Sequence, residues 1–213
     1  MADGPVKHLG ARIAYDAESD RVILFGGYNV AGPYLYEDTW AYDYNSDTWT
    51  EMKPSTSPPG RNYQAMAYDD KADRVLMYGG SDFDGPHLSL WAYDFNTNTW
   101  QERPPSEPYP SGREYNVMVY DAESDRTLTF GGDFSGIAGS EIWSYDYNTN
   151  TWTMFEPSNG PGYRSRHALV YSPATDRLIL FGGQIEHTLF KYSNETWTYD
   201  LNTNTWTNMT PQP

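Results

Sequence analysis

A chain of 213 residues carrying 8 Trp, 19 Tyr and 8 Phe has the apolar content to bury a core, so its polar average hydropathy does not signal disorder. Its net charge of −15 argues against nucleic acid and anionic membranes as partners. The absence of cysteine excludes disulfides, thiolate metal sites and a cysteine nucleophile, and no apolar run reaches the ~18 residues of a membrane span.

The opening segment, MADGPVKHLG, lacks the apolar stretch of a signal peptide. The Tyr-, Trp-, Asn- and Thr-rich, Lys-poor composition nevertheless leans toward an exported or cell-surface microbial protein, and Asn-X-Thr sequons stand at Asn194 and Asn208. From residue 15 the chain repeats itself. YDAESDRVILFGG (15–27) returns as YDDKADRVLMYGG (68–80), YDAESDRTLTFGG (120–132) and YSPATDRLILFGG (171–183). DTWAYDYNSDTWTEM (38–52) returns as SLWAYDFNTNTWQER (89–103), EIWSYDYNTNTWTMF (141–155) and ETWTYDLNTNTWTNM (195–209). The Gly-Gly pairs are 53, 52 and 51 residues apart, and every repeat holds two Trp nine residues apart. A period near fifty is that of one supersecondary unit used four times.

Each unit reads as four strands. The first ends at the Tyr-Asp pair, as in Gln64–Tyr68, and turns through Asp, Ser and Ala, whose short polar side chains bond nearby amides. Asp16, Asp69 and Asp121 are expected to cap those turns. The second strand, Arg21–Phe25 and its copies, is apolar at consecutive positions, as in a strand covered on both faces. Gly26-Gly27 ends it. The third strand, Thr39–Tyr44, places Trp40, Tyr42 and Tyr44 on one side, and an Asn/Asp-rich hairpin leads to the fourth strand around Trp49. Such a sheet has two apolar faces and cannot bury them alone. Stacking the copies radially does so, and the eight Trp are expected to pack between blades.

The Gly-Gly doublet, the spaced Tyr and Trp, and the Arg before strand one resemble the kelch repeat over residues 8–209. That resemblance implies an all-β fold: a β-propeller of four four-stranded antiparallel kelch blades, at about 8–52, 61–103, 113–155 and 164–209, forming one domain. Two departures stand out. Trp at the first of the two Trp positions is richer than the usual pattern, and His8 stands where Arg61, Arg113 and Arg164 stand in the other repeats. Kelch propellers generally have six or seven blades. Three closures are open: a closed four-blade ring, a homodimer completing an eight-blade ring, or a segment of a longer propeller.

Variable sequence falls in the strand 2–3 loops and the links between repeats, on one rim. These loops make the expected binding surface, with Tyr28, Tyr34, Tyr36, Phe83, His87, Phe134, His187 and Phe190 as contacts. Arg61, Arg113 and Arg164 either ring the channel mouth and grip a carboxylate or fix the blade links, the second being favoured as a role repeated in every blade. Arg166 and His167 occur only in the fourth repeat and join the candidates. Asp82, Asp84, Asp133 and Glu186 offer oxygen ligands for Ca²⁺, although no EF-hand spacing is present and no cofactor is otherwise expected. No GxSxG, HExxH or phosphate-cradling loop occurs. The favoured function is therefore a non-catalytic recognition or scaffold module for a protein or glycan. The alternatives are a carbohydrate-acting isomerase or lyase at the channel mouth and a self-assembling structural propeller.

Overall fold

The computed structural model describes residues 4–32, 34–133, 139–186 and 191–211, with the side chain of Glu186 excepted. It is all-β: four antiparallel blades arranged as a four-blade β-propeller. Blade 1 comprises β1 (Arg12–Asp16), β2 (Arg21–Phe25), β5 (Thr39–Asp43) and β6 (Thr48–Glu51), with a small hairpin of β3 (Tyr28–Asn29) and β4 (Tyr34–Leu35) on its rim. Blade 2 holds β7 (Ala65–Asp69), β8 (Arg74–Tyr78), β9 (Leu90–Asp94) and β10 (Thr99–Arg103). Blade 3 holds β11 (Val117–Asp121), β12 (Arg126–Phe130), β13 (Ile142–Asp146) and β14 (Thr151–Phe155). Blade 4 holds β15 (Ala168–Ser172), β16 (Arg177–Phe181), β19 (Thr196–Asp200) and β20 (Thr205–Asn208), with a rim hairpin of β17 (Gln184–Glu186) and β18 (Lys191–Tyr192).

The registers repeat. Tyr15 pairs with Val22, Tyr68 with Val75, Tyr120 with Thr127 and Tyr171 with Leu178. Tyr44 departs from the expected strand: it lies in the turn after β5 and is exposed, so only Trp40 and Tyr42 share the strand face. The hairpin turns are held by the same bond in every copy. Tyr15, Tyr68, Tyr120 and Tyr171 each donate to an Asp five residues on, at 2.8 to 3.1 Å. Tyr93, Tyr145 and Tyr199 donate to Asn98, Asn150 and Asn204 in the same way. All of these acceptors have positive φ, the conformation that Asp and Asn tolerate best among residues with a side chain. Asp16, Asp69 and Asp121 accept amide hydrogens of the following turn.

Alternation along the strands divides each blade into two faces. One face of each blade's strands is turned toward the preceding blade and the other toward the following one. Ala14, Ile23 and Phe25 of blade 1 meet Met66, Val75, Met77, Trp91, Tyr93 and Trp100 of blade 2. Leu76, Tyr78 and Leu90 meet Met118, Trp143, Tyr145 and Trp152 of blade 3, and Leu128, Phe130 and Ile142 meet Leu169, Leu178, Leu180, Tyr199 and Trp206 of blade 4. Burying each Trp contributes on the order of 2–3 kcal/mol, and Trp91, Trp100, Trp143, Trp152, Trp197 and Trp206 are mortar between blades, whereas Trp40 and Trp49 lie on the face of blade 1 that no other blade covers among the described residues. The first glycine of each doublet admits the next blade. A Cβ on Gly26, Gly79 or Gly131 would come within 2.3–2.4 Å of the carbonyl oxygen of Arg61, Arg113 or Arg164.

Among the described residues three such interfaces join four blades. The inner strands pack as β1 on β7, β7 on β11 and β11 on β15. Among the described residues, the face of blade 1 turned away from blade 2 and the face of blade 4 turned away from blade 3 share no packed cluster. Ile13 (59% exposed) and Tyr15 (54%) on the first, and Val170 (55%) and Phe181 (54%) on the second, remain open to solvent.

Candidate functional site: the channel mouth and the upper rim

The residue two places after each Arg or His that precedes an inner strand is Gly10, Tyr63, Tyr115 or Arg166. All four have positive φ, between 56° and 75°. Tyr and Arg adopt that conformation at a cost of order 1 kcal/mol or more, which the fold sustains through a continuous series of backbone bonds. Tyr63 N–H donates to Gly10 C=O at 2.8 Å, Tyr115 to Tyr63 at 3.0 Å and Arg166 to Tyr115 at 3.2 Å. The side chains follow the backbone around the axis. Tyr28 meets Tyr63 edge-on at 6.3 Å, Tyr63 lies on Tyr115 at 4.2 Å, and the Arg166 guanidinium sits 3.7 Å from the Tyr115 ring centre. Arg12, partly buried beside Tyr63 and Tyr115, has its pKa lowered by desolvation. Desolvation also raises Tyr63 and Tyr115, so their hydroxyls stay protonated donors at neutral pH. The result is a ladder of aromatic faces ending in an exposed cation, a surface suited to stacking and to charge-assisted hydrogen bonds.

The expected contacts lie at different depths. Tyr28 belongs to the ladder, whereas Tyr36 stacks on His8 at 3.8 Å, inside the blade 1 rim. Tyr34 and Phe83 project to solvent, 67% and 73% exposed. Asp82 closes its own turn by accepting from the Asp84 and Gly85 amides, and its other oxygen lies 3.1 Å from His87 Nε2. Burial and Arg61 lower the pKa of His87. Asp133 pairs with Glu114 through backbone, and Asp82 and Asp84 are two residues apart in one turn. Phe134, His187 and Phe190 lie outside the described residues, and so does the side chain of Glu186. A separate acidic group, Asp16, Glu18 and Asp73, converges within 4.8 Å on the opposite rim, where Asp16 already accepts from Ser19.

Arg61, Arg113 and Arg164 are buried and turned into their own blades. Arg61 and Arg113 each donate Nη1 to the carbonyl of the first glycine of the doublet, Gly79 and Gly131, at 3.1 Å. Arg113 and Arg164 pair with Glu141 and Glu195. His8 does the same work in blade 1, donating Nδ1 to Gly26 C=O at 2.7 Å, so the departure at His8 preserves the bond. His167 is buried, with neither ring nitrogen bonded among the described residues, and burial lowers its pKa to about 4. Tyr63 and Tyr115 went unnoticed in the sequence. The signal was available: within a repeating frame, one fixed offset carries Gly, Tyr, Tyr and Arg.

A family profile described as the KLHDC2/KLHL20/DRC7 Kelch-repeats domain matches residues 2–161 and 122–213. Over 192 residues the chain is 26% identical to mouse multiple epidermal growth factor-like domains protein 8, covering 86% of the chain and 7% of that protein. It is 25% identical over 192 residues to the bovine Rab9 effector protein with kelch motifs, covering 86% of the chain and 50% of that protein. It is 27% identical over 214 residues to the flagellar outer-arm dynein alpha chain of Chlamydomonas reinhardtii, covering 91% of the chain and 5% of that protein. The chain thus spans half or less of each of these relatives.

Proposed function

The chain belongs to the kelch-repeat family, and from that premise we propose that it is a non-catalytic protein-recognition module whose contact surface is the Tyr28–Tyr63–Tyr115–Arg166 ladder with the rim loops around it. The observation that carries this reading is the ladder itself. Large side chains are held at positive φ where glycine suffices in blade 1, and they face the channel mouth rather than a blade core. Rigid aromatic faces beside an exposed guanidinium are the residue types that dominate protein contacts. The exposed Tyr34 and Phe83 extend the apolar area outward. One relative is itself named an effector protein, in keeping with a binding role.

Selection of random linear peptides on the immobilised protein tests it. Enriched peptides are expected to lose ~10-fold or more in affinity with Tyr115→Ala or Arg166→Ala, and to be unaffected by Tyr44→Ala on the opposite rim. Peptides that ignore both ladder variants, or enrichment on a glycan array with none among peptides, would overturn it.

A second reading concerns assembly. Contacts of the internal interfaces have an unused half on blade 1 and a complementary half on blade 4 among the described residues. A Cβ on Gly26, Gly79 or Gly131 would run into a carbonyl oxygen of the next blade, whereas one on Gly182 would meet, among the described residues, only Ser193 O of its own blade, at 3.3 Å. Tyr68 OH accepts from Glu18 of the preceding blade, whereas Tyr15 stands open. The channel-mouth backbone series runs from Gly10 to Arg166 and has its two ends on these same blades. A second copy, related by a two-fold axis, supplies both missing halves and makes an eight-blade ring.

A further inference from the structure

In two blades one carboxylate oxygen joins the arginine before the inner strand to an indole, and in blade 1 a carboxylate bonded to the indole lies near the equivalent histidine. Glu141 Oε1 accepts from Arg113 Nη2 at 2.8 Å and from Trp143 Nε1 at 3.4 Å. Glu195 Oε2 accepts from Arg164 Nη2 and, at 3.1 Å, from Trp197 Nε1. Asp38 Oδ2 accepts from Trp40 Nε1 at 2.5 Å and lies 3.6 Å from His8 Nε2. Each carboxylate stands two residues before its tryptophan, and in blade 2 that place belongs to Ser89. Ser89 Oγ accepts from Arg61 Nη1 at 3.1 Å, which leaves Arg61 Nη2 and Trp91 Nε1 buried and without a hydrogen-bond partner among the described residues. Arg61 is 0% exposed, and burial lowers its pKa to about 10, an effect only partly offset by Asp82 and Glu102. Two buried donors that the repeat geometry aims at one point, one of them charged, are costly when unmatched. A cavity of about 450 Å³ opens at Trp91 and Ser89, the serine that accepts from Arg61, its lining including also Pro59, Glu102 and Tyr109.

We propose that this blade 2 cavity binds a carboxylate, which takes the place held by Asp38, Glu141 and Glu195 in the other blades. One ligand oxygen accepts from Arg61 Nη2 and Trp91 Nε1, and the body of the ligand lies against Pro59 and the Tyr109 ring. Glu102 on the same wall disfavours a second negative charge, so the site selects a singly charged acid. The site lies on blade 2 and its two flanking links and is independent of the ladder. A free acid, a peptide C-terminus and an acidic side chain share this chemistry.

The test reads the Trp91 indole N–H of ¹⁵N-labelled protein, assigned with Trp91→Phe. Sodium acetate, N-acetylglycine and the α-methylamide of N-acetylglutamic acid are titrated at constant ionic strength held with sodium chloride. At least one is expected to shift the Trp91 resonance saturably with a Kd on the order of 1 mM. The indoles of Trp143 and Trp197, already bound to internal carboxylates, stay in place. Tighter N-acetylglycine identifies a chain terminus, tighter glutamate a side chain, and comparable binding of all three a free carboxylate. Ser89→Glu is expected to move the Trp91 resonance without ligand and to abolish the titration. Glu102→Gln, an exposed substitution that leaves the blade intact, is expected to tighten binding about 3-fold by removing a like charge. A Trp91 resonance indifferent to all three acids, an equal response to chloride alone, or binding unchanged by Glu102→Gln would each overturn the proposal.

Discussion

At the scale of single residues, position decides whether a polar side chain is a surface group or a structural bolt. His167 occupies the place of Gln64 and Asn116, but where Gln64 donates to Phe25 C=O at 2.8 Å, the imidazole makes no such bond among the described residues. Its folded pKa, about 4, lies below the ordinary 6.5 because burial and Arg164 disfavour the cation. Folding therefore favours the neutral ring. That stabilisation is complete above pH 6.5 and is lost as the pH falls toward 4, a change of roughly 3 kcal/mol. Urea unfolding at stepped pH is expected to show this slope, and His167→Gln to flatten it. Arg113 is the opposite case, fully paired. Arg113→Met leaves Glu141 and the Gly131 carbonyl without their partner and is expected to cost about 3 kcal/mol in the same assay, with part recovered by adding Glu141→Leu.

At the scale of the element, each blade combines a glycine doublet, two tyrosine-locked hairpins and an alternating apolar strand pair. The doublet glycines separate two effects that usually coincide. Gly79 and Gly182 both have positive φ, 72° and 67°. A Cβ on Gly79 would lie 2.4 Å from Arg113 O, while one on Gly182 would meet, among the described residues, only Ser193 O at 3.3 Å. Gly182→Ala in an isolated chain is expected to cost about 1 kcal/mol, the backbone penalty alone. Gly79→Ala adds a clash with the neighbouring blade and is expected to cost at least twice as much by thermal or urea denaturation. This pattern was legible in the chain. The second strand was readable as Arg21–Phe25 because residues apolar on both faces have few other places to go. Tyr44 was misplaced because alternation continues past the point where the hairpin turns, and only Asp47, at positive φ, fixes the reversal. The ladder was hidden for a related reason: Tyr63 and Tyr115 sit in links that look irregular, and only their shared backbone conformation brings them face to face.

At the scale of the molecule, the same arithmetic that assembles three interfaces leaves two faces over. If a second copy covers them, sedimentation is expected to give a mass near twice 24.3 kDa at micromolar concentration. Val170→Asp and Phe181→Asp are each expected to return the chain to a monomer, since a charge at these positions would be buried without a partner. Gly182→Ala would then weaken the dimer as severely as Gly79→Ala weakens the fold. A monomer at every concentration would dismiss the eight-blade ring and leave the ladder reading untouched.

The sequence alone determined the four repeats, the strand order within each, the tryptophans of blades 2 to 4 as packing between blades and the rim on which variable residues gather. These follow from local periodicity, which a chain writes in its own order. Only the tertiary structure decided that Arg113 and Arg164 face inward, that His8 replaces the arginine's bond to the first glycine of the doublet, that Tyr63, Tyr115 and Arg166 form one surface, and that Arg61 Nη2 and Trp91 Nε1 are buried without a partner among the described residues. Each of those depends on residues brought together from different strands or blades. Their meeting is set by how the blades stack, and no periodicity along the chain records it.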